Sequence, residues 1–453
     1  MKKVTIVGSG LVGSLWSVYL TKAGYEVSVY ERRTDMRKTR IAAGKSINLA
    51  TSYRGWKALD EVGLGDEIRK IAIPMYGRTL HSVNSGSSYQ PYGINGQAIY
   101  SVSRGAINAK LMDFAEEKAK LFFNEECISA DAENGVCYFK NTLSGKITEV
   151  KSDLVFATDG AFSSVRYNAL QKSDRFSYSQ NYIDDGYKEI LLPANEDGTF
   201  KLAENTLHIW PRGRFMLIAL PNFDGSFTCT LFMPFEGDKH CFSNLTSKEK
   251  ITDFFKTIFP DFYTMVPDIA DIWDNYPLSS LAIIRCFPWH KEKVMLMGDA
   301  AHATVPFFGQ GMNAGFEDCT VMWELMKKHK ENWEEIFSEF EKIRKPDGDA
   351  VQDLSLQNYM VMRDHVTDPA YQLQQKIERR ISHLFPDKYF PLYSMVSFTD
   401  IQYHVALEKG NKQTELIAKL IESHHITNHT TTQEIDEIIF ELMGIKELSV
   451  EPK

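Results

Sequence analysis

No stretch of this chain stays apolar for the roughly 18 residues that a bilayer-crossing helix needs, so no transmembrane segment is expected. Basic residues fall short of acidic ones, 51 Lys and Arg against 60 Asp and Glu, giving a net charge of −9 over 453 residues. Nucleic acid or an anionic membrane calls for a basic face, so this balance argues against both. Cysteine is sparse. The six (Cys127, Cys137, Cys229, Cys241, Cys286, Cys319) form no CxxC pair and no metal-ligand spacing. Reduced, mostly structural thiols in a cytoplasmic compartment are expected, and no metal. Internal repeats and low-complexity tracts are missing too. Met1-Lys2-Lys3 has the charge of a signal-peptide start, but Gly8, Gly10 and Gly13 break the apolar stretch that follows. What remains is an ordinary globular composition, 43% apolar and 25% charged, long enough for two or three domains.

Periodicity supplies a coarse map. Val4–Val7 and Val27–Tyr30 read as strands around a helix at Leu11–Lys22; Ser103–Ala119 reads as a helix and Leu154–Ala157 as a buried strand. Pro74–Gln97 is turn-rich. Thr206–Trp210, Phe215–Leu220 and Phe227–Phe232 look like antiparallel strands separated by Pro, Gly, Asn and Asp. Val294–Met297 resumes the parallel pattern, a helix follows from about Met312, and the chain beyond Pro346 is mainly helical. The expected fold is α/β: a Rossmann-like dinucleotide-binding domain (1–73, 98–170, 281–345), an inserted, mostly antiparallel β-sheet domain (74–97, 171–280) and a helical C-terminal region (346–453).

Gly8-Ser9-Gly10-Leu11-Val12-Gly13 is GxGxxG between a strand and a helix. The first glycine permits the tight turn, the second admits a pyrophosphate to the backbone, and the third lets helix and sheet pack closely. The helix N-terminus then offers N–H groups and positive dipole to the anion. Glu31 ends the next strand, where a carboxylate accepts from a ribose 2′-OH and repels a 2′-phosphate. The site therefore suits FAD or NAD rather than NADP. The basic cluster Arg32, Arg33, Arg37, Lys38 and Arg40 either assists phosphate binding or forms a solvated loop.

Two later segments separate FAD from NAD. Asp159-Gly160-Ala161-Phe162-Ser163-Ser164-Val165-Arg166 follows a buried strand, and Asp299 ends the strand Val294–Met297, positioned to hold a ribityl hydroxyl. Pro306-Phe307-Phe308-Gly309-Gln310-Gly311-Met312-Asn313 then opens a helix whose backbone N–H groups can reach the N1–C2=O edge of a reduced flavin. His302 is left open between a phosphate contact and a structural hydrogen bond.

These three motifs, in this order, resemble the single-component FAD monooxygenases of the para-hydroxybenzoate-hydroxylase type. A finer resemblance, to the kynurenine 3-monooxygenase family, is carried by Gly44–Ala50, Gln90-Pro91-Tyr92-Gly93, Tyr100–Arg104, Leu207–Pro211, Val305–Asn313 and Tyr393–Val396. The resemblance implies non-covalent FAD, with NADPH and O₂ as co-substrates. It implies hydroxylation of L-kynurenine to 3-hydroxykynurenine through a C4a-hydroperoxide of the flavin. It places Arg78, Tyr92, Asn358 and Tyr393 on the amino-acid end of kynurenine, and Arg32, Arg104, Pro306, Gly309, Gly311, Met312 and Asn313 on the cofactor beside the residues above. Without it, Arg78 reads more readily as a surface ion pair, either tyrosine as packing, and Asn358 as a solvated polar residue. A guanidinium does suit a carboxylate. Phe232 and Pro306–Phe308 would wall the aromatic ring, although Phe232 also fits a sheet core. Catalysis of this kind works by positioning, and no side chain is expected to act as acid or base.

Eukaryotic members of that family carry a C-terminal membrane anchor. Here Leu416–Ile421 and Glu434–Met443 are amphipathic and flank a polar stretch with His424, His425 and His429, so no anchor is expected. Monomer and homodimer remain open. Two other readings stay open: an FAD hydroxylase of another aromatic acid, such as an anthranilate or hydroxybenzoate, and a catalytically silent FAD-bound interaction module.

Overall fold

The computed structural model describes residues 2–38, 48–83, 86–93, 96–172, 175–361 and 368–442. Arg40, residues 44–47 of the Gly44–Ala50 segment and Met443 lie outside the described residues.

Lys3–Val7 is buried at all four positions from Val4 onward, as a strand covered on both faces must be. It pairs in parallel with Glu26–Glu31 on one side and Leu154–Ala157 on the other. Lys120–Phe123 extends the first side and Val294–Leu296 the second, with the short antiparallel strand His290–Lys291 at the edge. The chain thus reverses direction across the sheet beside Lys3–Val7. In doubly wound folds the carboxyl ends at that switch point hold the ligand. Gly8 and Thr158 sit there.

The second large sheet has seven strands, in the order 279–287, 177–192, 227–234, 216–221, 207–211, 77–81, 87–91. All pairs are antiparallel except Leu207–Pro211 with Gly77–His81. The helices Lys248–Ile258 and Pro260–Met265 cover one of its faces, burying Phe254, Phe255, Phe259 and Phe262 against Trp210 and Phe215. Five further helices, Trp333–Met360, Pro369–Leu384, Leu392–Phe398, Tyr403–Ser423 and Thr432–Leu442, make up the C-terminal region. No described helix is long and apolar enough to cross a membrane.

Expected elements are found with ends shifted by at most three residues, and Leu11–Lys22 and Leu154–Ala157 without any shift. The expected helix Ser103–Ala119 runs Arg104–Glu116, with Ser103 as its cap: the hydroxyl accepts from the Ala106 amide at 3.4 Å. Two features went unanticipated. Glu125–Asp131, Val136–Asn141 and Ile147–Lys151 form a separate three-stranded sheet, and Trp333–Met360 runs straight through Pro346. A proline inside a helix has no N–H to donate four residues back. Here the helix is fixed on both sides of Pro346 by the buried ion pairs of Arg344 and Asp347.

Candidate functional site

One cavity of about 700 Å³ runs from the glycine turn to the seven-stranded sheet. Of the expected site residues, all but Gly13 and Asn313 line it.

At the turn, Gly8 has φ +97°, and a Cβ on it would lie 2.6 Å from the Thr158 carbonyl oxygen. Only glycine fits. A Cβ on Gly13 would lie 2.1 Å from the Gly8 carbonyl oxygen, so its role is close packing of the helix Leu11–Lys22 on the strand rather than contact with a ligand. Gly10 caps that helix with open space around it, leaving the first-turn N–H groups to face the cavity with the positive end of the dipole. The Glu31 carboxylate is held by the Ser9 amide at 2.9 Å and the Arg33 amide at 3.0 Å. Arg32 and Arg33 also line the cavity, whereas Arg37 is bound to Asp35, Asp113 and Glu116 instead.

Asp159 accepts from the Val165 amide through Oδ2 at 3.2 Å, while Oδ1 is buried without a partner in the protein. Burial pushes its carboxyl above the usual range. Such an orphan atom on a cavity wall calls for a donor from a ligand. Opposite, Gly298 (φ +59°) turns the chain so that the exposed Asp299 opens a short helix into the same space. The loop Pro306–Phe308 ends in left-handed Gly309 (φ +70°) and leads into the 19-residue helix Gly311–His329. Asn313, fully buried, braces this loop from outside the cavity. Its Nδ2 donates to the carbonyls of Ala50 (2.9 Å) and Gly309 (3.0 Å), and its Oδ1 accepts from the Ser52 amide (2.9 Å). Arg104 lines the cavity from the first residue of its helix. A dinucleotide with phosphates at one end and an acceptor edge at the other fits these donors and the Asp159 orphan.

The far end is built from several separate parts of the chain. Arg78, on Gly77–His81, has its Nε on Gln90 Oε1 at 3.1 Å. The rings of Tyr92 and Tyr393 stack at 5.0 Å, and Tyr393 stacks in turn on Phe308 at 5.6 Å. Burial raises both phenols, so they remain neutral donors beside the Arg78 charge. Asn358 Nδ2 donates to the Phe307 carbonyl at 2.6 Å, tying the loop to the helix Trp333–Met360. Phe232 packs on Phe307 at 4.9 Å and lines the cavity with Met216 and Leu281. It is both sheet core and wall.

A buried ion network behind the loop was not foreseen. Asp318 accepts from Arg344 Nε (2.8 Å), from the Gly298 amide (2.8 Å) and from His302 Nε2 (2.7 Å). That settles His302 as a structural group. Burial alone would raise Asp318; the His302 and Arg344 charges outweigh it and hold the carboxyl at about 2. Arg344 also binds Glu317 and Asp347, and Arg54 joins Glu317 to the carbonyls of Val396 and Ile401. Tyr403 closes the circuit on Gln310 at 2.9 Å. The strand end before Asp299, the loop and the C-terminal helices are thus one braced unit. Its signal in the sequence is Glu317-Asp318, two acids on an otherwise apolar helix turn.

Comparison with known proteins decides which dinucleotide this cavity takes. The FAD binding domain family matches residues 1–355, so the class is that of FAD-dependent oxidoreductases. The kynurenine 3-monooxygenase of Flavobacterium psychrophilum is 46% identical over 447 residues, covering 98% of this chain and 99% of that protein. That of Sus scrofa is 44% identical over 422 residues, covering 91% and 88%. The chain belongs to the kynurenine 3-monooxygenase family of flavin monooxygenases. Among solved structures, the tetrameric form of 2-methyl-3-hydroxypyridine-5-carboxylic acid oxygenase matches with a TM-score of 0.66 at 19% identity. It covers 82% of this chain and 95% of that one, and it bears on the fold alone. The family resemblance and the expected fold class are borne out.

The sequence places no His or Cys in an obvious flavin-attachment motif, and His302 beside Asp299 is engaged by Asp318. Acid precipitation of the purified protein should therefore release yellow FAD into the supernatant. Colour retained in the pellet would contradict non-covalent binding.

Proposed function

We propose that this chain hydroxylates L-kynurenine on the ring carbon beside its amino group, consuming NADPH and O₂. One observation supports this most: Arg78, Tyr92 and Tyr393 gather at the cavity end opposite Glu31, and an apolar wall of Phe232, Phe307, Met216 and Leu281 adjoins them. A substrate with a carboxylate at one end and an aromatic ring at the other fits that division. FAD, which Gly8, Gly10, Glu31, Asp159 and Asp299 would hold, would supply the redox chemistry by which NADPH and O₂ are consumed, one oxygen atom going to the ring and the other to water.

The protein's own part is positional. Arg78 offers a two-pronged donor to the carboxylate, and the two phenols add neutral donors. Asn358 fixes the Phe307 carbonyl and thereby the loop against which the ring rests. Phe232 and Phe307 exclude water from the reacting carbon. No side chain is assigned as acid or base. Glu31 disfavours a 2′-phosphate at the glycine turn, so NADPH is read as a visitor to the FAD-loaded protein rather than a resident of that turn.

NADPH oxidation with L-kynurenine, anthranilate and hydroxybenzoates tests the assignment. Kynurenine should stimulate it most, because only it has an amino-acid side chain to set its carboxylate on Arg78 apart from a ring on the apolar wall. Equal or greater stimulation by a simple benzoate would move the substrate to another aromatic acid. Bound kynurenine should also accelerate flavin reduction, since Tyr393 stacks on Phe308 of the flavin-facing loop and a ligand there shifts the loop's equilibrium. Stopped-flow traces with equal reduction rates in its presence and absence would contradict that coupling.

A further inference from the structure

Among the residues that line the cavity, Asn48 is assigned to neither the cofactor nor the substrate. It opens the short strand Asn48–Thr51 of another three-stranded sheet, paired with Ile99–Ser103. Asn48, Leu49 and Ala50 all line the cavity, and the Asn48 side chain is almost fully buried.

On the seven-stranded sheet the wall of the cavity is a row of facing pairs: Phe232 with Met216, Thr230 with Ile218, Thr228 with Leu220. Four residues of strand, about 13 Å, separate Phe232 from Thr228. Asn48 closes the row at that end. Its Nδ2 donates to the Pro221 carbonyl (3.1 Å), to Asn222 Oδ1 (2.7 Å) and to Ser101 Oγ (3.1 Å), and Thr228 Oγ1 donates to its Oδ1 at 3.4 Å. The Pro221 carbonyl only accepts, so it fixes which end of the amide is the nitrogen. Of the strand's four residues, Asn48 is the one whose side chain is hydrogen-bonded to the wall.

Two residues further on, the strand meets the loop Pro306–Gly309. The Ala50 carbonyl accepts from Asn313 Nδ2 and the Ser52 amide donates to Asn313 Oδ1, and the same Nδ2 holds the Gly309 carbonyl. Ser52 Oγ donates to Gln310 Oε1 at 3.4 Å. A paired strand from Asn48 to Ala50 spans roughly 7 Å, and close-packed backbone transmits a displacement rather than absorbing it. This path is separate from the contact of Tyr393 with Phe308, which reaches the same loop from the amino-acid end.

We propose that Asn48 is a positioning residue that joins the ring wall to the flavin-facing loop through the strand Asn48–Thr51, so that kynurenine resting on the wall governs the rate of flavin reduction. The inference rests on the assignment of the substrate's ring to that wall. Two sites are coupled when both bias one shared element, and this strand is bonded to both.

Stopped-flow mixing of the FAD-loaded enzyme with NADPH, with and without saturating L-kynurenine, reads the passage of hydride from NADPH to FAD as bleaching. In Asn48→Ala the acceleration by kynurenine should fall about tenfold, within the usual span of about 5–150-fold for coupling between two sites. FAD content and kynurenine affinity, titrated by flavin absorbance, should stay as in wild type. The variant strands no buried acceptor: the Pro221 carbonyl keeps Ser101 Oγ at 2.8 Å, and Asn222 Oδ1 keeps Thr228 Oγ1 at 3.3 Å. Asn222→Ala cuts the joint from the wall side. The double variant should lose no more acceleration than Asn48→Ala alone, because both changes remove one contact. Acceleration that survives in both single variants, or losses that multiply in the double variant, overturns the proposal. So does loss of FAD or of kynurenine affinity together with the acceleration, since Asn48 then holds a binding site. If wild type makes no hydroxylated product from kynurenine, the proposed function has failed and the joint with it. If wild type makes product but kynurenine does not accelerate its reduction, or accelerates Asn48→Ala equally, the joint alone has failed.

Discussion

Arg78→Met is expected to weaken kynurenine binding by roughly one to three decades. A charge-assisted hydrogen bond contributes about 1.5–3 kcal/mol, stranding a buried carboxylate costs about 2–5 kcal/mol, and about 1.4 kcal/mol is tenfold. FAD content should not change, because Arg78 sits on the seven-stranded sheet, whereas the glycine turn, Asp159 and Asp299 belong to the parallel sheet and its carboxyl ends. Arg78→Lys should rescue only in part, since a point charge replaces a planar fork. Titration of the flavin absorbance with L-kynurenine checks all three. Loss of FAD from Arg78→Met would make the residue structural; normal affinity would place the carboxylate elsewhere.

The second large effect belongs to Arg344→Met. Asp318 and Asp347 are almost fully buried and Glu317 nearly so, and all three bond to this guanidinium. Removing one partner of a buried pair costs roughly 3–5 kcal/mol because a charge is left uncompensated, against a total stability of about 5–15 kcal/mol for a folded protein. The variant should lose FAD on purification and melt well below wild type. Retention of both would make the network dispensable. The same network predicts acid sensitivity. Asp318, held at about 2 in the folded protein, lies below the ordinary unfolded value of about 3.9. Its stabilisation is therefore complete above that value and is lost as pH falls towards about 2. Thermal midpoints measured across that window should decline more steeply in wild type than in Asp318→Asn.

What the sequence disclosed follows from how local each signal is. Gly8 and Gly13 are legible because a tight turn and close helix packing impose side-chain limits within six residues, and Gly10 completes the GxGxxG spacing between them. Asp159 and Asp299 are legible because each follows a short buried strand. Arg78 is different. Nothing in Gly77–His81 marks it, and its company with Tyr92 and Tyr393 depends on a hairpin at a sheet edge meeting a helix some 300 residues on. Only the family resemblance pointed to it. The Asp318 network joins residues 16 and 26 positions apart on separate helices, and the Asn48 amide reaches Pro221 and Asn222, 173 and 174 positions on; such pairings exist only after tertiary packing. The sheet at residues 125–151 escaped for another reason: Ile147–Lys151 is exposed almost throughout and shows no apolar alternation.

The most direct measurement is product analysis after turnover of L-kynurenine with NADPH under ¹⁸O₂. Expected is kynurenine heavier by a single labelled oxygen atom, with proton NMR placing the hydroxyl beside the ring amine, and one NADPH consumed per product formed. NADPH consumed with hydrogen peroxide as the only oxygen product, or a hydroxyl elsewhere on the ring, would contradict the assignment of this site to kynurenine.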